Sequence, residues 1–149
     1  MTTKDKAIKY FNADYNCAQS VLITYCENFG INKDIAASLS SGFGGGIARM
    51  QETCGAIIGG IMALGIAFNK PGEDIAENKE KVYAIVNHLV KNFKEKYNTI
   101  KCSELLNCNL NTEEGKKFYK ENHLQEKICG NCIKEVINIL DELIEKNKI

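Results

Sequence analysis

A long uncharged segment, from Thr53 to Asn69, is the feature that most constrains how this chain folds. It contains no charged side chain, it is interrupted by four glycines, and its length is at the short limit for a membrane span. A helix that is apolar on all sides is buried either in a protein core or in a membrane. Because the glycines and the short length disfavour the membrane, we predict a glycine-rich central helix that ends near Phe68.

The other long segments have the helical period. Apolar residues recur at i, i+3, i+4 and i+7 over residues 17–29, 73–97 and 132–146. No segment alternates as a half-buried strand does, so we expect no sheet of three or more strands. With 149 residues, the chain is long enough for a hydrophobic core of its own. We predict an all-α single domain over residues 1–149, a bundle of about five to seven helices around the buried glycine-rich helix.

Charge and composition exclude several classes of partner. Lys and Arg together number 19, as do Asp and Glu, which gives a formal net charge of +0. Nucleic acids and anionic membrane surfaces require a basic excess, so we expect neither as a partner. The N-terminal residues do not resemble a secretory leader, and the seven cysteines are an odd number. Both observations favour a cytoplasmic protein whose thiols stay reduced.

Three cysteines directly follow a residue suited to cap a helix. The pairs are Asn16-Cys17, Thr53-Cys54 and Asn131-Cys132. The first N–H groups of a helix have no internal partner, and the helix dipole makes that end electropositive, so a thiol there loses its proton more easily. We therefore predict cysteine chemistry. Cys54 is expected to be the most reactive thiol, because Gly55 also leaves the backbone beside it uncovered.

A glycine run precedes the central helix and cannot form regular helix at reasonable cost. Its N–H groups could bind an anion or a cluster sulfide, as backbone nests do, or the run could be only a tight bend. Arg49, the single arginine of the chain, binds either backbone carbonyls or a thiolate or anion. The candidate cofactor-binding residues are Gly44, Gly45, Gly46, Arg49 and Gly55.

These residues also carry a family resemblance. Residues 54–59 fit the signature C-G-A-x-x-G, and the match extends to residues 16–22, to the glycine run and to the last helix. The chain resembles a bacterial and archaeal family of proposed redox-active proteins, which is named for four cysteines around this signature. The resemblance implies that those four are Cys17, Cys54, Cys102 and Cys132. The remaining cysteines of this chain look like additions, namely Cys26, Cys108 and Cys129.

Four thiols that converge from separate segments suit a [2Fe–2S] cluster or tetrahedral zinc, with Cys129 as a further candidate ligand. Alternatively the thiols cycle between thiol and disulfide, and Cys129-Gly130-Asn131-Cys132 holds a natural dithiol pair. Similar domains occur in split-Soret cytochromes, which carry haem and an iron–sulfur centre. Covalent haem is not supported here, because Ile133 follows Cys132 where the haem-ligating histidine would stand.

Three functions follow as hypotheses. The first is a redox-active protein in which the four cysteines bind an iron–sulfur or other metal centre or cycle between thiol and disulfide. The second is a zinc-binding structural or regulatory module without turnover, and the third binds a small anion through the glycine loop and Arg49. The partner of a redox-active protein would be an electron donor or acceptor, which the sequence does not identify. The sequence also leaves open whether the protein is an enzyme and whether it forms a homodimer. Cys26 lies on an apolar stripe and is predicted to be a core residue.

Overall fold

The computed structural model describes residues 1–147, so the last two residues of the predicted domain lie outside the described part. Residues 1–147 form eight α-helices, joined by 3₁₀ turns at Glu27–Phe29 and Ser41–Phe43 and a π-helical segment at Gln125–Gly130. The α-helices are α1 (Thr3–Asn12), α2 (Cys17–Cys26), α3 (Lys33–Ser40), α4 (Gly55–Phe68), α5 (Ile75–Tyr97), α6 (Cys102–Leu106), α7 (Glu113–Glu121) and α8 (Asn131–Lys146).

The predicted all-α class is confirmed. Residues 1–147 contain no strand, and their β-pairing is limited to an isolated antiparallel bridge between Thr53 and Lys101. The described residues contain one helix more than the expected five to seven, because Cys102–Leu106 forms the short helix α6. No helix of the described residues is both long enough and apolar enough to cross a membrane.

Helix α4 packs against α2, α5 and α8, so three neighbours cover it. The backbone of α4 directly contacts the backbone of α2, which is the closest kind of contact between helices. A β-carbon added to Gly59 would lie 2.5 Å from the carbonyl oxygen of Ala18. One added to Gly55 would lie 3.1 Å from the β-carbon of Cys17. Glycine at these two positions of α4 therefore allows α2 to approach, as small residues do at tight helix crossings.

Local hydrogen bonds fix the start of α2. The Asn16 side chain accepts from the Gln19 N–H at 2.9 Å, and the Gln19 side chain accepts from the Asn16 N–H at 2.9 Å. This reciprocal arrangement is a capping box, which satisfies two helix-end groups at once. It places Cys17 in the first turn of α2, where the sequence predicted it.

Two of the three predicted caps are wrong. Cys54, and not Thr53, is the N-cap of α4, because Thr53 is held in the bridge to Lys101. Helix α8 continues from the π-helical segment without a break, so Asn131 caps nothing. Its side-chain amide instead donates to the Lys127 carbonyl at 2.8 Å. Cys132 therefore does not lie at a free helix end.

The α2–α4 contact predicts different outcomes for two glycine-to-alanine substitutions in one helix. Gly59→Ala should lower the free energy of unfolding by about 1–3 kcal/mol, because the added methyl meets backbone that cannot move independently. Gly65 has no atom within 4 Å of an added β-carbon. Gly65→Ala should therefore raise the free energy of unfolding by about 0.5–1 kcal/mol through helix propensity. Urea denaturation followed by circular dichroism measures both, and equal effects would contradict the close contact.

Candidate functional site

A cavity of about 540 Å³ is lined by five of the seven cysteines. They come from four different parts of the fold, the starts of α2, α4 and α6 and the junction between the π-helical segment and α8. The five are Cys17, Cys54, Cys102, Cys129 and Cys132. The structure thus brings the four family-matching cysteines to one cavity and adds Cys129 to them.

The five thiols differ in their exposure to solvent. Cys54 and Cys102 are each 7% exposed and Cys132 is 1% exposed, so these three form an inner group. Cys17 and Cys129 are half-buried. A reagent from solvent therefore meets the outer two thiols more easily than the inner three.

The first sulfur pair joins Cys54 and Cys132. The Cys132 thiol donates a hydrogen bond to the Cys54 sulfur, and this is the largest cause that lowers the pKa of Cys54. The backbone N–H groups of Ala56 and Ile57 at the start of α4 lower it further, against the opposing effect of burial. The pKa of Cys132 is raised because its proton is held in that bond and because its site is buried.

The second pair joins Cys17 and Cys129. The Cys17 thiol donates to the Cys129 sulfur, which lowers the pKa of Cys129 to about 7. The Tyr119 hydroxyl lies 3.5 Å from the same sulfur and lowers the pKa as well. The pKa of Cys17 is correspondingly raised, first by this hydrogen bond and then by burial. In each pair, therefore, the pKa of one sulfur is lowered and the pKa of the other is raised.

Cys102 has a different environment. Its N–H donates to the Glu52 carbonyl at 2.7 Å, and the Cys54 N–H donates to the Ile100 carbonyl at 2.7 Å, so the two segments flank the Thr53–Lys101 bridge. Burial and the negative charge of Cys54 raise the pKa of Cys102 to about 12. Its side chain is hydrogen-bonded to Gln51. Cys102 is therefore the proton-bearing neighbour of the first pair.

The glycine run continues into a left-handed loop. Residues 45–49 all have positive φ, with values between 48° and 67°, and Gln51 has φ 57°. Non-glycine residues in this conformation cost roughly 1–2 kcal/mol each. The loop N–H groups of Ala48, Arg49 and Glu52 donate to loop carbonyls at 2.9–3.1 Å. These N–H groups are thus used within the loop.

The loop supplies part of the cavity wall. Gly45, Gly46, Arg49 and Gly55 line the cavity. A β-carbon on Gly46 would lie 2.7 Å from that of Cys102, so glycine is required there for Cys102 to reach the cavity. Gly44, the remaining predicted binding residue, is not in the lining and packs instead against the side chain of Asn16.

Two cysteines lie away from the cavity. Cys26 is 2% exposed in the hydrophobic core, and its thiol lies 3.4 Å from the Leu22 carbonyl, to which it donates. Cys108 is half-buried beside Gln51, whose side chain donates to the Cys108 carbonyl at 2.7 Å. Burial raises the pKa of both thiols.

Comparison with known protein families identifies the family to which this cysteine pattern belongs. Residues 15–143 match the model of the family described as "Putative redox-active protein (C_GCAxxG_C_C)". The chain belongs to this family. No curated protein and no solved structure matches the chain at the threshold applied.

The redox family assignment raises the question of a metal centre. Thiols are the right donors for zinc or an iron–sulfur cluster. Within residues 1–147, however, no three His, Cys, Asp or Glu side chains form a group placed to hold a metal ion. The sulfurs are instead hydrogen-bonded in twos. The described residues therefore show no metal site, and four of the five sulfurs interact in two pairs.

The sequence identified Cys129 as a further candidate and did not indicate that it lies beside Cys17. The Cys-x-x-Cys motif was the available signal, and it suggested that Cys129 pairs with Cys132. In the structure these two sulfurs hydrogen-bond to Cys17 and Cys54 instead. Tyr119 was not predicted as a site residue, since nothing in its helix marks a contact with a sulfur.

The pairing predicts the pH dependence of alkylation. Cys129 and Cys108 are both half-buried, but the pKa of Cys129 is lowered to about 7 and that of Cys108 is raised. Because only the thiolate reacts, labelling of Cys129 should reach half its maximal rate near pH 7, and labelling of Cys108 only in alkaline solution. Iodoacetamide pulses read by peptide mass spectrometry measure both.

Loss of the Cys17 thiol, which donates to Cys129, should raise the pKa of Cys129 again. In Cys17→Ala the midpoint for Cys129 should move to higher pH, while the midpoint for Cys108 stays in place. Cys108 is the internal control for access and for folding. Identical midpoints for the two thiols in the wild-type protein would refute the pairing.

Proposed function

We propose that the protein carries out thiol–disulfide exchange, with Cys54 and Cys132 as the working dithiol. The interaction between their sulfurs supports this more than any other observation, because it lowers the pKa of Cys54 and raises that of Cys132, as in a nucleophile and its resolving thiol. Both belong to the four cysteines that the family resemblance singles out. A redox role agrees with the family to which the chain belongs.

The first step uses the Cys54 thiolate. It attacks one sulfur of a substrate disulfide, a protein–substrate disulfide forms, and the substrate S–S bond breaks. The departing substrate thiolate takes a proton from solvent and leaves as a thiol. The start of α4 and the Cys132 thiol stabilise the Cys54 thiolate before the attack.

The second step uses Cys132. Its pKa is raised mainly because its proton is shared with Cys54, then by burial and by the Cys54 charge. Once Cys54 is in a neutral disulfide, the first and third of these causes disappear and Cys132 loses its proton more easily. Cys132 then attacks the Cys54 sulfur and expels the second substrate thiolate. Overall, one substrate disulfide is reduced to two thiols as the protein dithiol is oxidised, and an external dithiol reductant restores it.

The outer pair, Cys17 and Cys129, can relay the electrons. It is half-buried, so an external dithiol reaches it before it reaches the inner pair. Exchange between the two pairs moves the disulfide outward without any change in the number of electrons. Cys102 is assigned no step, because it is hydrogen-bonded to Gln51 and not to a sulfur. We place this chemistry in the cytoplasm, where such dithiols are returned to the reduced state.

A trapping experiment tests the proposal. The reduced protein is mixed with 2-hydroxyethyl disulfide, quenched with acid and analysed by peptide mass spectrometry. At short reaction times the wild-type protein should hold a Cys54–Cys132 disulfide, before exchange passes it to Cys17 and Cys129. Cys132→Ser should stop after the first step, with the reagent thiol bound to Cys54. Cys26→Ala is the matched control, since it should lose on the order of 1 kcal/mol of stability and still form the disulfide.

Two outcomes would contradict the proposal. One is a Cys132→Ser protein with no adduct at Cys54, although it remains folded by circular dichroism. The other is iron with sulfide, or stoichiometric zinc, in protein purified without oxygen. Iron with sulfide would replace thiol exchange by an iron–sulfur centre, and zinc would indicate a structural or regulatory module.

A further inference from the structure

The burial of the working thiols limits the size of the substrate. Cys54 and Cys132 are 7% and 1% exposed, so a disulfide fixed in the surface of a protein cannot reach them without opening the fold. The cavity beside them has a volume of about 540 Å³, within the range of small-molecule sites. Aromatic and aliphatic side chains, among them Phe11, Tyr15 and Leu106, provide its apolar wall. A small molecule fits this access, and a protein disulfide does not.

A single arginine faces this cavity without a charged partner. No ion pair of Arg49 is present among residues 1–147. Its charge is also not among the principal causes of the lowered pKa of Cys54 or Cys129. The guanidinium therefore does not stabilise a carboxylate of the protein, and it is not a leading cause of the stabilisation of either thiolate.

The backbone of Arg49 is held in place at considerable cost. It lies in the left-handed loop with φ 61°, its N–H donates to the Gly44 carbonyl at 3.1 Å, and its carbonyl accepts from the Asn111 side chain at 2.8 Å. Bonds at both ends of the residue fix where the side chain begins. Strained backbone of this kind is concentrated at ligand-binding sites.

Apart from the thiols, the ionisable side chains at the cavity are mostly basic. Lys116 also lines it, and its contact with Glu113 is an exposed pair of 3.5 Å, which is weak. Asp14 is the acidic residue of the lining. Two cations and one carboxylate thus lie at the approach to the thiols. The two cations attract a negatively charged molecule, while a thiolate inside the cavity repels it.

We infer that the substrate is a small disulfide that carries carboxylate or other anionic groups, which Arg49 binds while the S–S bond lies against Cys54. This inference rests on the proposed thiol–disulfide exchange and adds the class of substrate. The attacking thiolate is itself negative and repels an anionic disulfide, so a fixed cation is needed on the far side of the substrate. A guanidinium provides it and also binds a carboxylate through two parallel hydrogen bonds.

Three disulfides of similar size but different charge test the inference. Dithiodiglycolate is anionic, 2-hydroxyethyl disulfide is neutral and cystamine is cationic. Each is mixed with the reduced protein at low ionic strength, and formation of the Cys54–Cys132 disulfide is timed by acid quench. The rate, divided by that of a free thiol with the same reagent, should be about five- to tenfold higher for the anionic than for the neutral disulfide, and lowest for the cationic one.

The variants separate the role of Arg49 from general charge effects. Arg49→Gln should reduce the anionic preference to about twofold or less, and Arg49→Lys should keep most of it. Lys117→Gln is the matched control, because Lys117 lies on the same helix as Lys116 but not in the cavity lining, and its preference should be unchanged. The preference of the wild-type protein should also weaken as salt is added.

A second measurement does not depend on redox chemistry. Iodoacetate is anionic and iodoacetamide is neutral. The rate of iodoacetate divided by that of iodoacetamide is measured at Cys129 and then divided by the same ratio at Cys108. The result should exceed one in the wild-type protein and fall in Arg49→Gln. Equal normalised rates for the three disulfides, with a corrected alkylation ratio of one, would overturn the anionic substrate but leave thiol–disulfide exchange standing. If no disulfide oxidises Cys54 and Cys132, both the proposed function and this inference fail.

Discussion

The backbone contact between α2 and α4 is the constraint on which the cysteine cavity depends. A β-carbon at Gly55 would lie 2.9 Å from the Phe43 carbonyl and 3.1 Å from the β-carbon of Cys17. Any larger residue would therefore push the start of α4 away from the start of α2. Cys54 is the N-cap of that same helix, so its distance to the other thiols is set by this contact. The glycine of the C-G-A-x-x-G signature is thus explained by packing before any chemistry is considered.

The features that the sequence predicted correctly are those that local interactions determine. The all-α class and the start of α2 after Asn16 follow from hydrophobic period and from capping, which act over a few residues. The cap of α4 was wrong because a long-range bridge to Lys101 holds Thr53. The start of α8 was wrong because the π-helical segment runs into it. Sequence spacing likewise suggested Cys129 with Cys132, whereas tertiary packing pairs Cys129 with Cys17.

The hydrogen-bonded sulfur pairs explain how five thiols share one low-dielectric space. Five thiolates there would repel one another strongly. The pKa of Cys102 is raised first by burial and then by the charge of Cys54. Within a pair, one proton is shared between two sulfurs, so that the pair carries a single negative charge and titrates as a unit. The pairing therefore favours ionisation of one sulfur, Cys54 or Cys129, beside a neighbour whose pKa is raised.

The left-handed loop shows that the cavity was built at the expense of stability. Four non-glycine residues adopt positive φ there, Ile47, Ala48, Arg49 and Gln51. At roughly 1–2 kcal/mol each their strain sums to about 4–8 kcal/mol, which is comparable to the whole net stability of a typical domain, about 5–15 kcal/mol. Strain of that size persists only where other interactions hold the backbone in place. Here two sets of hydrogen bonds hold it: those between backbone groups within the loop, and those of the buried Gln51 side chain to residues 108 and 110, at 2.7 and 2.8 Å. A plain bend between α3 and α4 would need none of this. What the strained conformation does achieve is to bring Gly46 against Cys102 and Arg49 to the cavity, which makes the loop part of the site and not a connection beside it.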